Sequence, residues 1–310
     1  MVIEEPANVA QWIDWVAGRL AAAELHYGHG TDNARDEAAW LVLHAAGFPL
    51  DGRFTDWGRA VKESAAVEIK RLAAARCDSG QPLAYLVGRA HFAGLEFEVT
   101  PAVLVPRSPV AELILDGFRP WLEPDGVKRV LDMCTGSACI AIAVAHYLPQ
   151  AQVDAVDISP QALEVAARNV HRHELSSRVS LIESDLFGSV PQRHYDLIVA
   201  NPPYVPAASL RSLPREYRAE PGLGLASGED GLDAALSIMV DAPRFLREDG
   251  ILICEVGESD ERLAAVLPRV PFLWLEFEQG GSGVFVMSRQ ELESAGPDIA
   301  SLIGEREHVA

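Results

Sequence analysis

The stretch Tyr195–Tyr204, with the sequence YDLIVANPPY, decides how the second half of the chain is interpreted. Its first six residues, of which only Asp196 is charged, are typical of a buried strand, and they lead directly into Asn-Pro-Pro-Tyr. Pro202 and Pro203 have a fixed φ and no N–H, and a residue before a proline is pushed to extended φ and ψ. The sequence therefore predicts that Asn201 is held stiffly at the end of a strand.

Such a turn presents two hydrogen-bond acceptors. The side-chain oxygen of Asn201 and the backbone carbonyl of Pro202 can converge on one planar NH2 group, while Tyr204 supplies an aromatic wall. This arrangement would suit an amide or an exocyclic amine. Asn-Pro is also a common turn dipeptide, so a strand followed by an ordinary turn is the alternative. The motifs upstream have to decide between them.

The composition limits the class of protein. A chain of 310 residues suggests two domains, or one large domain with an appendage. The hydrophobic fraction of 49% is sufficient for a sizeable core. Lys and Arg number 26 against 45 Asp and Glu, and the net charge of −19 repels phosphate backbones and favours basic partners. Binding to a nucleic-acid duplex is therefore not expected.

The cysteines and the N-terminus indicate the compartment. None of the four cysteines is in a C-x-x-C pair, and three lie in strongly apolar segments, which favours buried thiols in a reducing compartment. No set of residues has zinc-ligand spacing, so no metal is expected. The N-terminal sequence MVIEEP is acidic where a signal peptide would be basic, and the apolar stretches are too short to span a bilayer. We expect a cytoplasmic protein without membrane contact.

The first hundred residues have helical periodicity. Apolar residues recur at helical spacing over residues 9–25, 32–46 and 60–77, and a short helix is predicted between Pro82 and Gly88. Residues 90–99 alternate about a glycine, which predicts a β-hairpin. We predict a small helical domain over residues 1–88, a β-hairpin linker over 89–104 and a larger domain over 105–310.

The larger domain is predicted to begin with a helix and to continue with alternating strands and helices. Ser108 is a candidate N-cap and Pro109 a candidate first helical residue, in a helix running to about Trp121. The first strands are continuous apolar runs, as in a parallel sheet covered on both faces. Two final runs, 272–277 and 283–287, predict an antiparallel hairpin at the edge of the sheet. From Ser294 onward we expect a frayed tail.

A nucleoside-binding crevice is indicated by the ends of three predicted strands. The first ends in LDMCTGSACI, residues 131–140, where small residues let the backbone approach a ligand closely. Asp157, about 20 residues on, can bind ribose hydroxyls, and Asp185 can accept from an adenine amine. A dinucleotide would favour a Gly-rich pyrophosphate loop, whereas this turn has a single glycine. S-adenosylmethionine, which has no phosphate, suits the turn better.

With these motifs in register, the chain resembles the HemK/Prm family of glutamine side-chain amide methyltransferases. The resemblance covers about two thirds of the chain, from residues 82–88 to residues 283–285. Within the family, PRSP at 106–109 and CTGS at 134–137 look like the branch that acts on large-subunit ribosomal protein L-three. The resemblance implies an α/β fold: a seven-stranded Rossmann-like class I methyltransferase sheet in residues 105–310, behind a helical substrate-recognition domain.

The resemblance also implies the residues of the site. The predicted catalytic residues are Asn201, Pro202 and Tyr204. The predicted cofactor-binding residues are Asp132, Cys134, Thr135, Gly136, Asp157, Ile158, Asp185, Leu186 and Asn201. The predicted substrate-binding residues are Val105, Pro106, Arg107, Asn201, Pro202, Pro203 and Tyr204. Ala138 stands where the family usually has glycine, and its methyl group has to fit between the turn and the helix start.

Three alternatives remain at the level of sequence. The same reaction on peptide chain release factors would use the same site. A DNA adenine amine could reach the turn after base flipping, but the charge of −19 and the lack of a basic, aromatic-laced stretch disfavour it. A non-catalytic assembly factor would retain the fold while Ala138 blocks the cofactor. The favoured partner is basic protein L-three, free or in an assembling large subunit, with no sequence-specific nucleic-acid binding.

Overall fold

The computed structural model describes residues 5–50 and 52–307. The chain divides into two compact units. The first comprises Met1–Pro101, Val105–Arg107 and Leu213–Ala219, and the second comprises Ala102–Leu104, Ser108–Ser212 and Glu220–Ala310. Packing places the β-hairpin with the first unit and adds a segment from much later in the chain. The domain boundaries predicted at residues 88 and 104 stay a prediction.

The first unit is built from helices and one hairpin. Its elements are α1 (Val9–Ala22), α2 (Ala34–Ala46), α3 (Glu63–Ser79), α4 (Leu83–Val87), β1 (Arg89–Phe92) and β2 (Leu95–Glu98). The side-chain oxygen of Asn33 caps α2 by accepting from the N–H groups of Arg35 and Asp36, at 3.0 Å each. The apolar faces of the first three helices meet around Trp12, which is fully buried.

The second unit alternates strands and helices, as predicted. Its elements are α5 (Val110–Leu115), β3 (Arg129–Met133), α6 (Cys139–Tyr147), β4 (Gln152–Asp157), α7 (Pro160–Arg172), β5 (Val179–Glu183), β6 (Tyr195–Ala200), α8 (Asp233–Asp241), β7 (Leu246–Glu255), α9 (Asp260–Val266), β8 (Leu273–Trp274), β9 (Val284–Ser288) and α10 (Arg289–Glu307).

These strands form one seven-stranded sheet in the order β5-β4-β3-β6-β7-β9-β8. The first five strands in this order are parallel, while β9 runs antiparallel to both β7 and β8. The strand β6 is buried along its whole length, because helices cover the sheet on both faces. The predicted α/β sheet and its antiparallel edge hairpin are confirmed.

Two helix predictions were wrong. The helix after Ser108 ends at Leu115 rather than near Trp121, because Gly117 and Phe118 adopt left-handed backbone conformations with φ of 68° and 63°. The expected frayed tail is the 19-residue helix α10, which contains Pro297 and buries Leu292 and Ile299 completely. In the part of the chain that the structure describes, no helix has the length and apolarity needed to cross a membrane.

Candidate active site

The register of the sheet brings the predicted strand ends to one edge. Met133 is paired with Val156 on one side and with Ala200 on the other. The residues that follow these three, Cys134, Asp157 and Asn201, therefore leave the sheet side by side. Parallel sheets bind ligands outside the carboxyl ends of their strands, where the strand order reverses. Here the order reverses between β3 and β6, which is where the cofactor turn and the Asn-Pro-Pro-Tyr turn meet.

Asp132 organises the first turn from inside the protein. Its side chain is fully buried, and its Oδ2 accepts from the Thr135 hydroxyl at 2.5 Å and from the Ala141 N–H at 3.0 Å. Burial raises the pKa of this carboxyl group to about 7, against the opposing effect of the two hydrogen bonds. Asp132 and Thr135 thus hold the turn in shape.

The turn itself has an unusual backbone. Cys134, Gly136 and Ala138 all have positive φ, at 61°, 56° and 62°. A side chain at Gly136 would meet no atom within 4 Å, so the turn is open on that side. The Gly136 N–H donates to Asp157 Oδ2 at 2.8 Å, and this bond ties the turn to the end of β4. Burial raises the pKa of the Cys134 thiol, so the group stays protonated.

The backbone at Ala138 leads to a prediction for stability. We expect Ala138→Gly to raise the free energy of unfolding slightly, because relief of the left-handed conformation gains roughly 1–2 kcal/mol, whereas loss of one buried methyl group costs about 0.8 kcal/mol. Ala143→Gly, inside α6, is the matched control and should lower stability by more than 1 kcal/mol in all. Urea unfolding measures both variants. A destabilised Ala138→Gly variant would contradict the inference that the backbone at Ala138 is strained.

The remaining predicted cofactor residues lie on β4 and beyond β5. Asp157 is partly buried, and its Oδ1 accepts from the Ser159 N–H at 2.9 Å; burial raises its pKa. Ile158 is 46% exposed, an unusually exposed apolar side chain beside this carboxylate. Asp185 is exposed and Leu186 partly buried in the turn after β5. These residues offer two carboxylates, two apolar side chains and an open turn of small residues, and none of them is a cation. Such a set fits a nucleoside that lacks phosphate.

The Asn-Pro-Pro-Tyr turn follows β6 directly. Pro202 is buried, whereas Asn201, Pro203 and Tyr204 are partly exposed. Among the residues that the structure describes, none makes a hydrogen bond with the Asn201 side chain. Its amide is therefore available to a ligand.

A second set of contacts around Tyr204 was missed at the level of sequence. The Tyr204 hydroxyl donates to Glu255 Oε1 at 3.3 Å, and the Ser108 hydroxyl donates to Glu255 Oε2 at 2.5 Å. The Ser259 hydroxyl donates to the Tyr204 carbonyl at 3.0 Å. Glu255 ends β7 as Asp157 ends β4, and this shared position was the signal that could have identified it.

The predicted substrate residues Val105, Pro106 and Arg107 belong to the first unit. Val105 and Pro106 are buried and line a cavity of about 330 Å³ together with Trp40 and other aromatic residues of that unit. The Arg107 guanidinium lies 5.2 Å from the ring centroid of Tyr217 in a cation–π contact.

The sheet order and the crevice define the class I methyltransferase fold. The same fold occurs in the hMettl16 catalytic domain in complex with MAT2A 3'UTR hairpin 1, with a TM-score of 0.50 at 17% identity, over 81% of this chain and 90% of that one. Residues 116–212 match the family model "Methyltransferase small domain", and residues 11–88 match "PrmC N-terminal domain". The chain is thus a methyltransferase with an attached helical region.

Two curated relatives narrow this class. The ribosomal protein uL3 glutamine methyltransferase of Xanthomonas campestris pv. campestris is 48% identical over 310 residues, covering 98% of both chains. The protein of the same name from Xylella fastidiosa strain 9a5c is 46% identical over 308 residues, covering 98% of this chain and 97% of the other. The chain belongs to the family of ribosomal protein uL3 glutamine methyltransferases, within the HemK/Prm family.

Proposed function

We propose that the chain methylates the side-chain amide nitrogen of a glutamine in ribosomal protein uL3, with S-adenosyl-L-methionine as the methyl donor. The similarity to the Xanthomonas protein, at 48% identity over nearly the whole of both chains, carries this proposal. The sequence leaves both uL3 and release factors open as substrates, and the names of the relatives favour uL3.

The edge residues of β3, β4 and β5 would hold the cofactor. Each oxygen of Asp157 already accepts one backbone N–H, but a carboxylate has about four acceptor positions, which leaves room for ribose hydroxyls. Asp185 would accept from the adenine amine, with Ile158 and Leu186 against the base. Asp132, Cys134, Thr135 and Gly136 would shape the turn. When bound, S-adenosylmethionine supplies a methyl group on a positively charged sulfur.

Asn201 and Pro202 would prepare the target nitrogen. An amide nitrogen is a poor nucleophile, because its lone pair is delocalised into the carbonyl group. If Asn201 Oδ1 and the Pro202 carbonyl each accept one N–H of the amide, the nitrogen is fixed and polarised, with its lone pair directed away from them. The extra proton can leave after methylation, so no strong base is required. Tyr204 and Pro203 would pack against the target, and Val105, Pro106 and Arg107 would contact the same protein.

Two expectations about cellular context are part of the proposal. The charge of −19 would favour a basic ribosomal protein, free or on an assembling large subunit, over nucleic acid. Methylation of a ribosomal protein would take place in the cytoplasm.

Methyl transfer from labelled cofactor to separate candidates tests the proposed function. The purified chain would be incubated with uL3, with a release factor and with duplex DNA, and mass spectrometry would locate the modification. We expect label on a uL3 glutamine and none on DNA. Label on the release factor alone would mean that a release factor, and not uL3, is the substrate. No label on any protein would refute the proposal.

The cofactor contact of Asp157 gives a separate prediction. We expect Asp157→Ala to weaken S-adenosylmethionine binding about 10-fold or more, the scale of a lost hydrogen bond to a charged group. Isothermal calorimetry measures the affinity. Asp249→Ala is the control, because Asp249 is exposed in the first half of β7, away from the strand end at Glu255. Equal affinities for Asp157→Ala and the wild type would remove Asp157 from the cofactor site.

A further inference from the structure

Glu255 is a buried carboxylate at the edge that carries the proposed site. It ends β7, the strand that is parallel to β6, and it follows Cys254, the partner of Ala200 in the sheet. Glu255 and Asn201 therefore leave the sheet next to each other. Only 5% of Glu255 is exposed. A buried carboxylate is costly unless hydrogen bonds satisfy it, so its position and its partners require an explanation.

Two of the hydrogen-bond donors of Glu255 come from distant parts of the chain. Ser108 donates at 2.5 Å, within the range of strong O–H···O⁻ bonds, and its oxygen also accepts from the Val110 N–H at 3.2 Å. The start of α5 thus fixes one oxygen of Glu255. Tyr204 donates to the other oxygen at 3.3 Å, which is longer than an ordinary O–H···O bond. This contact orients the phenol while leaving it room to adjust.

The backbone of Tyr204 is held separately from its hydroxyl. Ser259 donates to its carbonyl, and a Cβ at Gly257 would lie 2.6 Å from the Tyr204 ring, so only glycine allows the close packing there. These contacts hold the backbone and one edge of the ring. The bond from the hydroxyl to Glu255 holds the far end of the side chain and so completes the orientation of the ring.

We propose that Glu255, itself fixed by Ser108, is a positioning residue that sets the orientation of the Tyr204 ring and so shapes the binding slot for the target amide. This inference rests on the proposed function, because only in that function does Tyr204 form a wall of the slot for the target amide. It also gives Ser108, in the PRSP motif, a role beyond starting α5.

Glu255→Gln separates this role from packing. Glutamine keeps the size of glutamate, but its NH2 group cannot accept, so one of the two hydroxyls loses its acceptor. We expect kcat/KM for uL3 to fall about 10- to 100-fold, with the affinity for S-adenosylhomocysteine unchanged. Glu258→Gln is the matched control, since Glu258 is exposed in the next turn, and it should match the wild type.

A double-mutant cycle with Tyr204→Phe tests whether Glu255 acts through the Tyr204 hydroxyl. In the Tyr204→Phe background, Glu255→Gln should change kcat/KM by less than about twofold, the range of additive sites. Independent, multiplying effects of the two substitutions would overturn the proposal, as would near-normal turnover of Glu255→Gln. If that variant fails to fold, Ser108→Ala should show the same loss at smaller size, again only while Tyr204 is present.

A readout without substrate keeps this inference separate from the proposed function. Fluorotyrosine is incorporated throughout the chain, and the fluorine resonance that disappears in Tyr204→Phe is that of Tyr204. We expect this resonance to shift in Glu255→Gln and to stay in place in Glu258→Gln. A resonance that does not shift in Glu255→Gln would refute the positioning role. If the resonance shifts but the wild type does not methylate uL3, only the proposed function is refuted.

Discussion

The Asn201→Ala variant is expected to lose methyl transfer to uL3 by a factor of about 10² to 10³, the size of the effect when one preorganised polar group is removed from an active site. It should bind S-adenosylmethionine normally. The Asn201 side chain makes no hydrogen bond with any residue that the structure describes, so its removal should change stability by less than about 0.5 kcal/mol. Single-turnover rates, calorimetry and thermal unfolding measure the three quantities.

Two comparison variants make the Asn201 result specific. Asn201→Gln keeps the acceptor but moves it by one methylene group, and displacement on the scale of 1 Å can cost about 100-fold, so it should also be inactive. Asn33→Ala should have the opposite profile: it removes the cap of α2 and about 1 kcal/mol of stability, with turnover unchanged. Turnover of Asn201→Ala close to that of the wild type would exclude Asn201 from catalysis.

The sheet and its ligand-binding edge could be predicted because their signals are local. The runs that became β3, β4 and β6 are largely apolar, and a polar residue lies at or beside the end of each: Asp132, Asp157 and Asn201. The helix α7 has a clear start in the sequence, because Ser159 can cap it and Pro160 suits its first position, and the structure uses both in this way. In these places local propensity and tertiary packing agree.

The features that the sequence did not reveal depend on contacts between distant residues. Ser108 and Glu255 are 147 positions apart, and no spacing rule connects them. In the tail, the sequence signal weakens from Ser294 onward, although Leu292, Ala295 and Ile299 have helical spacing and are buried. The return of residues 213–219 to the first unit also has no local signal, because it depends on contacts with residues distant in the sequence, such as Glu216 with Arg76 and Tyr217 with Arg107.

The second large effect is expected on stability, at Arg76. Arg76 is 1% exposed, and its guanidinium donates to Glu37 Oε1 at 2.7 Å and to Glu216 Oε1 at 3.2 Å, both carboxylates being buried. Removing one partner of such a network leaves uncompensated buried charge and costs about 3–5 kcal/mol. We expect Arg76→Ala to lose this amount in urea unfolding followed by tryptophan fluorescence, to which Trp12, Trp15, Trp40 and Trp57 of the first unit contribute.

Arg71→Ala on the same helix is the control for Arg76. Arg71 pairs with Glu68 at 2.6 Å, but the two side chains are 57% and 40% exposed, so the loss should be at most about 1 kcal/mol. Comparable losses at the two positions would show that Arg76 contributes only as an ordinary surface pair.

The pH dependence separates buried charge from lost packing at Arg76. Burial raises the pKa of Glu37, whereas burial of Glu216 is outweighed by hydrogen bonds from backbone N–H groups and from Arg76, so the pKa of Glu216 is lowered. Without the guanidinium, both carboxyl groups lose an interaction that lowers their pKa, so both pKa values rise. A raised folded-state pKa gives stability that is lost as pH increases, so the deficit of Arg76→Ala should grow as the pH rises above the pKa of an unfolded glutamate, about 4.3. A deficit independent of pH would mean that the guanidinium contributes through packing alone.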